Sequence, residues 1–284
     1  RLVGSEMCIR DSIYGLKMLS NESTAARGNV VSSIGMLFAV LVTVIEIVNP
    51  VLVLSAVLLG ALIGSAFALK VKMTSIPEMV ALFNGFGGLS SFFLAWSEFN
   101  NLSAISLIMI LSFMTVLIGG ITFSGSVVAF FKLSEILKGN NNFLNKASRW
   151  FLIFSFLFVI IAVIQVIAGG LGYEFIDLAL IQKIFIALLI ISLFAGLAFV
   201  LPIGGGDMPV VISLLNSFSG IAAASAGVLL TNTALIVAGC LVGASGLVLT
   251  LIMAKSMNRT LYNIFFVGYE SSGSSAAEID GEIK

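Results

Sequence analysis

The stretch IPEMVALFNGFGGL, which begins at Ile76, recurs 132 residues later as MPVVISLLNSFSGI, which begins at Met208. Both copies are apolar, and both carry an asparagine seven residues after a proline at their second position. These asparagines are Asn84 and Asn216. An amide side chain is costly in hydrocarbon unless it has a partner. The duplication therefore predicts a polar site inside a bundle of membrane helices.

The composition indicates a membrane protein. Of 284 residues, 59% are hydrophobic and only 10% are charged, whereas a soluble domain has roughly 25% charged residues. The net charge is zero, so no basic patch points to nucleic acid. The chain has no histidine and only two cysteines, which leaves no Cys/His set for a metal. We expect a lipid bilayer as the environment, with no nucleic acid and no metal.

Apolar runs of about 20 residues predict transmembrane helices. The predicted fold class is all-α: a polytopic transmembrane bundle of about eight helices with a parallel internal repeat. The predicted spans are Val30–Val48, Val51–Leu69, Pro77–Trp96, Leu102–Phe131, Trp150–Gly170, Leu178–Leu201, Pro209–Leu230 and Ala234–Ala254.

The distribution of lysine and arginine predicts the orientation of the helices. Ten of these residues between Lys17 and Arg259 fall on one side of the predicted membrane, and only Lys183 falls on the other. By the positive-inside rule, both termini face the cytoplasm of a bacterial-type inner membrane. Both proline helices then start on the cytoplasmic side, so the two copies form a parallel repeat.

Four segments are expected along the chain. Residues 1–12 do not resemble the rest and are set apart as an artefactual leader. Residues 13–27 are expected to hold the end of a truncated first helix and a cytoplasmic loop. Residues 28–267 form the transmembrane domain. Residues 268–284 are small, polar and acidic, which is typical of a cytoplasmic linker.

The polar residues inside the spans allow two interpretations each. Asn84 and Asn216 either line a functional site or join neighbouring helices by hydrogen bonds. Ser126 and Ser245 lie on the helices that follow the two copies, where they either line a path for water or pack tightly. Asp207 either caps its helix or couples the membrane site to something docked beneath it.

Two glycine pairs have the GxxxG spacing that allows helices to cross closely. They are Gly60 with Gly64 and Gly239 with Gly243.

Several long segments resemble one known family, the β subunit of proton-translocating NAD(P) transhydrogenase, in its membrane domain. The resemblance spans roughly Gly15 to Gly268. It implies nine membrane helices followed by an NADP(H)-binding domain, and a partner α subunit that binds NAD(H). It also implies proton flow coupled to hydride transfer from NADH to NADP⁺. The segments are ARGN, MTSIPEMVALFNGFGGL, GGITFSGSVVAFFKL, GGGDMPVVISLLNSFSG and LIVAGCLVGASGLVLTLIMAKSMNR.

The resemblance also implies roles for individual residues. Asn216 falls on the family's channel asparagine, and Asn84 falls where some members carry a proton-handling histidine. Asp207 falls on an acid at the cytoplasmic mouth. Arg259 falls at the exit towards the NADP(H) domain, close to Lys255. Ser126 and Ser245 complete the predicted proton pathway.

Three departures from the family pattern shape the expected partners. Without a histidine in this chain, the titrating histidine is expected on a membrane helix of the α subunit, within a homodimer of the αβ unit. The first helix is expected to be truncated. The chain is also expected to end in the linker, so that it binds no cofactor by itself and is inactive alone.

Two other functions fit the sequence pattern. A secondary transporter would bind a small solute between the two parallel repeats. A structural membrane subunit would use its asparagines only to hold helices together.

Overall fold

The computed structural model describes residues 50–101, 108–137, 142–171 and 178–264, with scattered positions between 18 and 37. Seven α-helices lie in these ranges, and all seven are long and apolar enough to cross a membrane. The helix α1 belongs to one compact unit and α2 to α7 belong to another. The helices are α1 (Pro50–Lys70), α2 (Ile76–Asn100), α3 (Ile108–Leu133), α4 (Asn142–Gly170), α5 (Leu178–Val200), α6 (Met208–Leu229) and α7 (Thr233–Ser256).

The predicted all-α membrane bundle is confirmed, with one clear difference in helix length. The span predicted from Trp150 belongs to α4, which begins eight residues earlier, at Asn142. An apolar run marks only the part of a helix that fits the hydrocarbon layer, and the polar residues before it continue the same helix. Most of the predicted span Val30–Val48 lies outside the described residues, although its described positions are helical.

The helices α3 and α6 form the centre of the larger unit. The helix α6 packs along α7 and also contacts α3 and α2, while α5 packs on α3 and α4 packs on α5. The four consecutive residues Val210 to Ser213 are all buried, so α6 is covered on several sides. The two prolines lie in the first turns of α2 and α6, where their missing N–H groups cost nothing.

The internal repeat is visible in the positions at which the helices begin. A 3-10 helix at Met73–Ser75 precedes α2, and another at Gly205–Asp207 precedes α6. Both the 3-10 helices and the α-helices after them are related by the same shift of 132 residues. Two copies of one sequence pattern therefore form the same local structure.

The two copies meet at equivalent positions. A Cβ atom placed on Gly87 of α2 would lie 3.0 Å from the Oγ of Ser219 on α6. These two residues are themselves 132 positions apart. Contact between equivalent residues is the property of an approximate two-fold axis, so α2 and α6 pack about such an axis.

The same glycine contact joins the two helices within each copy. A Cβ on Gly119 of α3 would lie 2.7 Å from the carbonyl oxygen of Gly88 on α2. Similarly, a Cβ on Gly239 of α7 would lie 2.7 Å from the carbonyl oxygen of Gly220 on α6. In both pairs the backbones approach so closely that any side chain would collide with the other helix.

The two predicted glycine crossings have different outcomes. The crossing at Gly239 and Gly243 is confirmed, since both residues face α6. At Gly60 and Gly64, no atom of the described residues lies within 4 Å of a Cβ placed on either glycine, so the crossing predicted there stays a prediction.

We predict that Gly220→Ala destabilises the α6–α7 pair. The added Cβ would lie 2.3 Å from the backbone nitrogen of Gly243, and a backbone cannot move aside as a flexible side chain can. Overpacking of this kind costs about 1–3 kcal/mol. Thermal unfolding of the purified protein in detergent should show the loss as a lower midpoint temperature.

Gly60→Ala is the matched control, because no atom of the described part of the chain lies within 4 Å of the added methyl group. It should leave the midpoint unchanged or raise it, since alanine favours a helix over glycine. Equal midpoints for the two variants would contradict a close α6–α7 crossing.

Candidate functional site

The first asparagine of the repeat has a partner in the neighbouring helix. Asn84 on α2 donates a hydrogen bond from Nδ2 to the Oγ of Ser126 on α3, at 3.2 Å. Ser126 is fully buried. Gly85 allows this approach, because a Cβ there would lie 3.0 Å from the Cβ of Ser126. Asn84 and Ser126, both predicted pathway residues, are thus brought together between α2 and α3.

The second copy has serine and glycine in exchanged positions. Ser217 on α6 is equivalent to Gly85, and the residue that faces it on α7 is Gly246. A Cβ on Gly246 would lie 2.9 Å from the Cβ of Ser217. The Ser217 hydroxyl donates to the carbonyl oxygen of Gly243 at 2.7 Å. The hydroxyl group that could serve Asn216, as Ser126 serves Asn84, is therefore missing from α7.

Asn216 consequently differs from Asn84. Its side chain is partly buried, and it makes no hydrogen bond to any residue that the structure describes. No hydrogen bond joins the two asparagine side chains to each other, although both lie in the described range. An amide carries two N–H donors and an acceptor oxygen, so the whole hydrogen-bonding capacity of Asn216 is available to another group.

The position of Asn216 on α6 shows which helices it lies between. It is three residues before Ser219, which contacts α2, and four residues before Gly220, which contacts α7. Residues three and four apart lie on the same face of a helix. The amide therefore lies between the α2 side and the α7 side of α6. The helices α2 and α7 make no extensive interface with each other in the described chain.

Further hydroxyl groups lie along the α6–α7 interface. The Oγ1 of Thr250 on α7 lies 3.1 Å from the Oγ of Ser213 on α6, and both residues are buried. The sequence analysis did not single out this pair, because a threonine in an apolar helix commonly bonds to its own backbone, as Thr250 also does through the carbonyl oxygen of Gly246.

Ser245 lies apart from these groups. Its side chain is exposed, and its hydroxyl donates to the carbonyl oxygen of Val242 in the same helix at 3.1 Å. Because neighbouring residues of a helix point in different directions, Gly246 faces α6 and Ser245 does not. The structure does not bring Ser245 together with either asparagine, so its place on a proton pathway stays a prediction.

Asp207 and Arg259 meet at one end of the bundle. The Oδ2 of Asp207 lies 3.4 Å from the Nη1 of Arg259, and the two side chains are 15% and 35% exposed. Asp207 makes no side-chain capping bond to α6, so the capping interpretation is wrong. The two residues predicted to act in coupling are brought together, while Lys255 is exposed nearby in the last turn of α7.

The end of α7 directs Arg259 towards Asp207. Asn258 has a φ of 53°, the left-handed conformation that often ends a helix and that asparagine tolerates better than most residues. The N–H of Arg259 then donates to the carbonyl oxygen of Ala254 at 3.0 Å. This bond closes the helix and turns the chain back at Arg259.

Lys132 was not selected as a site residue from the sequence. Its Nζ donates to three carbonyl oxygens at the end of α5 and just after it, those of Val200, Leu201 and Ile203. A lysine in the last turn of a membrane helix is common, and the sequence carries no signal that it reaches a different helix.

The fold and these contacts define a class of protein: a multi-pass membrane protein in which a duplicated helix pair encloses partly buried amides. The family model described as NAD(P) transhydrogenase beta subunit matches residues 4–284. The chain belongs to this family. The match begins within the segment 1–12 that the sequence analysis set apart.

Two similar proteins carry the name NAD(P) transhydrogenase subunit beta, and both come from Rhodospirillum rubrum, one of them from strain ATCC 11170. Each is 34% identical to this chain over an alignment of 276 residues, which covers 93% of the chain. The chain spans 57% of the length of these relatives.

The Asn84–Ser126 contact predicts an energetic coupling that a double-mutant cycle can measure. We expect Asn84→Ala and Ser126→Ala to be non-additive by about 0.6 kcal/mol, the average for hydrogen bonds between membrane helices. The measurement is the free energy of unfolding in mixed detergent micelles.

The matched control cycle combines Asn84→Ala with Ser245→Ala. Among the residues that the structure describes, Ser245 bonds within its own helix alone, so the two changes should be additive. Additivity in the Ser126 cycle as well would show that the Asn84–Ser126 hydrogen bond does not form.

Proposed function

We propose that this chain is the proton-conducting membrane part of a proton-translocating NAD(P) transhydrogenase, in which proton movement is coupled to hydride transfer from NADH to NADP⁺. Membership of the NAD(P) transhydrogenase beta subunit family supports this function. It favours the transhydrogenase over a secondary transporter or a purely structural subunit, the two alternatives that the residue pattern alone left open.

One structural observation carries the proposed location of the proton route. Asn216 lies on the most buried helix of the larger unit and has no hydrogen-bond partner among the described residues. An unpaired amide at membrane depth is unfavourable unless water or another chain satisfies it. We propose that a water molecule held by Asn216 forms part of the route, while Asn84 joins α2 to α3 through Ser126.

Asparagine cannot carry the proton itself, because its amide does not titrate near neutral pH. The chain contains no histidine, which is the usual side chain for proton exchange near pH 7. We therefore propose that a histidine on a membrane helix of the α subunit supplies the titrating group. That helix would lie beside α6 between α2 and α7, where this chain makes no extensive interface.

We propose that the end of the bundle with Asp207 and Arg259 faces the cytoplasm. Lys132 and Lys255 lie in the last turns of α3 and α7, which end on that side, and the positive-inside rule favours this orientation. Arg259 lies shortly before the segment proposed to lead to the NADP(H) domain. The ion pair is therefore in a position to transmit the state of that domain to α6.

The nucleotides are assigned to other parts of the complex. We propose that NADP(H) binds to a domain that follows the linker and that NAD(H) binds to the α subunit, in a dimer of αβ units. The described residues do not fit a dinucleotide, because they lack a strand followed by a glycine-rich turn and a helix. The glycines between Asn84 and Leu89 lie inside α2, where their backbone N–H groups already bond within the helix.

We predict that Asn216→Leu uncouples or blocks proton movement. The change keeps the size of the side chain and removes its donors and acceptor. Coupled proton uptake should fall by roughly a hundredfold, the lower end of what a positioned proton-transfer group contributes. The measurement is transhydrogenation with proton uptake by the full β subunit and the α subunit in sealed vesicles.

Asn100→Leu is the matched control, because Asn100 is exposed at the far end of α2, and it should leave coupled activity unchanged. Full coupled activity in Asn216→Leu would contradict the channel role. Reduced assembly with unchanged activity per assembled complex would instead support the structural-subunit alternative.

A further inference from the structure

Lys132 connects two parts of the bundle that are far apart in sequence. It lies in the last turn of α3, and its Nζ donates to the carbonyl oxygens of Val200 at 3.3 Å, Leu201 at 2.5 Å and Ile203 at 2.5 Å. The last carbonyl groups of a helix have no partner within it, and a positive charge is favoured there. The three N–H donors of an ammonium group match these three acceptors.

The loop that Lys132 contacts is short and contains the acid of the ion pair. Asp207 follows Ile203 by four residues, and the residues between them are all glycine. Ile203 is 2% exposed and Met208, after Asp207, is fully buried. A Cβ on Gly205 or Gly206 would meet nothing within 4 Å. The loop is thus packed at its two ends. Its middle is a single 3-10 turn of glycines, in which the N–H of Asp207 donates to the carbonyl oxygen of Gly204 at 3.1 Å.

Glycine gives the middle of this loop wide conformational freedom. The position of the Asp207 carboxylate therefore depends on how firmly the two ends are held. Packing of Met208 holds the second end, in a cluster that also contains Val128, Ala129 and Ala254. The first end has the packing of Ile203 and the hydrogen bonds from Lys132. Among the described residues, Lys132 is the side chain found to donate to the carbonyl groups of residues 200–203.

We propose that Lys132 is a positioning residue: it fixes the loop between α5 and α6 so that Asp207 remains paired with Arg259. Lys132 is six residues after Ser126 on α3, roughly 9 Å along the helix. One helix thus carries both the partner of Asn84 and the group that fixes the Asp207 loop. The contact between Lys132 and the loop does not depend on the proposed function. The role of Lys132 in coupling does rest on the proposed function.

Hydrogen exchange tests the contact. In the complete complex, Lys132→Met should make the backbone amides between residues 201 and 207, except that of Pro202, which has no N–H, exchange about tenfold faster, because hydrogen bonds to a charged group are lost. In Lys132→Arg, which keeps the charge and the donors, the same amides should exchange nearly as fast as in the parent protein. Lys72→Met, which removes an exposed lysine, should change nothing in this segment.

Three results would overturn the proposal. Unchanged exchange at residues 201–207 in Lys132→Met would show that the contact does not hold the loop. Faster exchange throughout α2 and α3 as well would show a general loss of stability instead of a local one. If Lys132→Met does not assemble, Lys132→Gln takes its place, because glutamine keeps N–H donors without the charge. Amide exchange at residues 201–207 should then rise by a smaller factor. Unchanged exchange in Lys132→Gln would likewise show that the contact does not hold the loop.

The coupling role has a separate readout, the number of protons taken up per hydride transferred in sealed vesicles. Lys132→Met should lower this ratio, and Lys132→Arg should restore it. Local loosening of the loop with an unchanged ratio would overturn the coupling role. A parent complex that moves no protons would instead contradict the proposed function, and the exchange experiment would still decide whether Lys132 fixes the loop.

Discussion

Close contact between glycine backbones is the constraint on which the larger unit depends. Gly88 approaches Gly119 within one copy of the repeat, and Gly220 approaches Gly239 within the other. In a membrane the hydrophobic effect does not drive helices together, so packing at short range and hydrogen bonds between helices must do so. The glycines bring the helix axes close enough for hydroxyl and amide groups to bond across them. The rest of the site is built on these two crossings.

The duplication makes the two crossings alike, and a small exchange of residues makes their chemistry different. In the first copy glycine is on α2 and serine on α3, and Ser126 accepts a hydrogen bond from Asn84. In the second copy serine is on α6 and glycine on α7, so Ser217 bonds to a backbone carbonyl. Asn216 is then left without a partner in the described chain. A symmetric frame thus holds one amide used for packing and one that is free to bind.

The polar contacts at the Asp207 end of the bundle depend on the same frame. Buried side chains from five helices, α2, α3, α5, α6 and α7, meet there in one cluster, and they hold the ends of the loop that carries Asp207. Lys132 reaches this loop from α3, and Arg259 reaches Asp207 from beyond α7. Packing near the asparagines and packing near the ion pair therefore involve the same helices, which is a physical basis for linking the two sites.

The sequence by itself determined that the chain crosses a membrane, where most helices lie, and that Asn84 and Asn216 occupy equivalent positions, because hydropathy and repetition are local properties of the chain. Through the family resemblance, the sequence also indicated Asp207 and Arg259 as residues that couple the membrane domain to the NADP(H) domain. Only the tertiary structure decided that Asn84 has a partner and Asn216 has none in the described chain, that Gly239 and Gly243 face α6, and that Lys132 reaches the end of α5. These outcomes depend on which residue of another helix lies opposite, and spacing along one helix does not specify its neighbour.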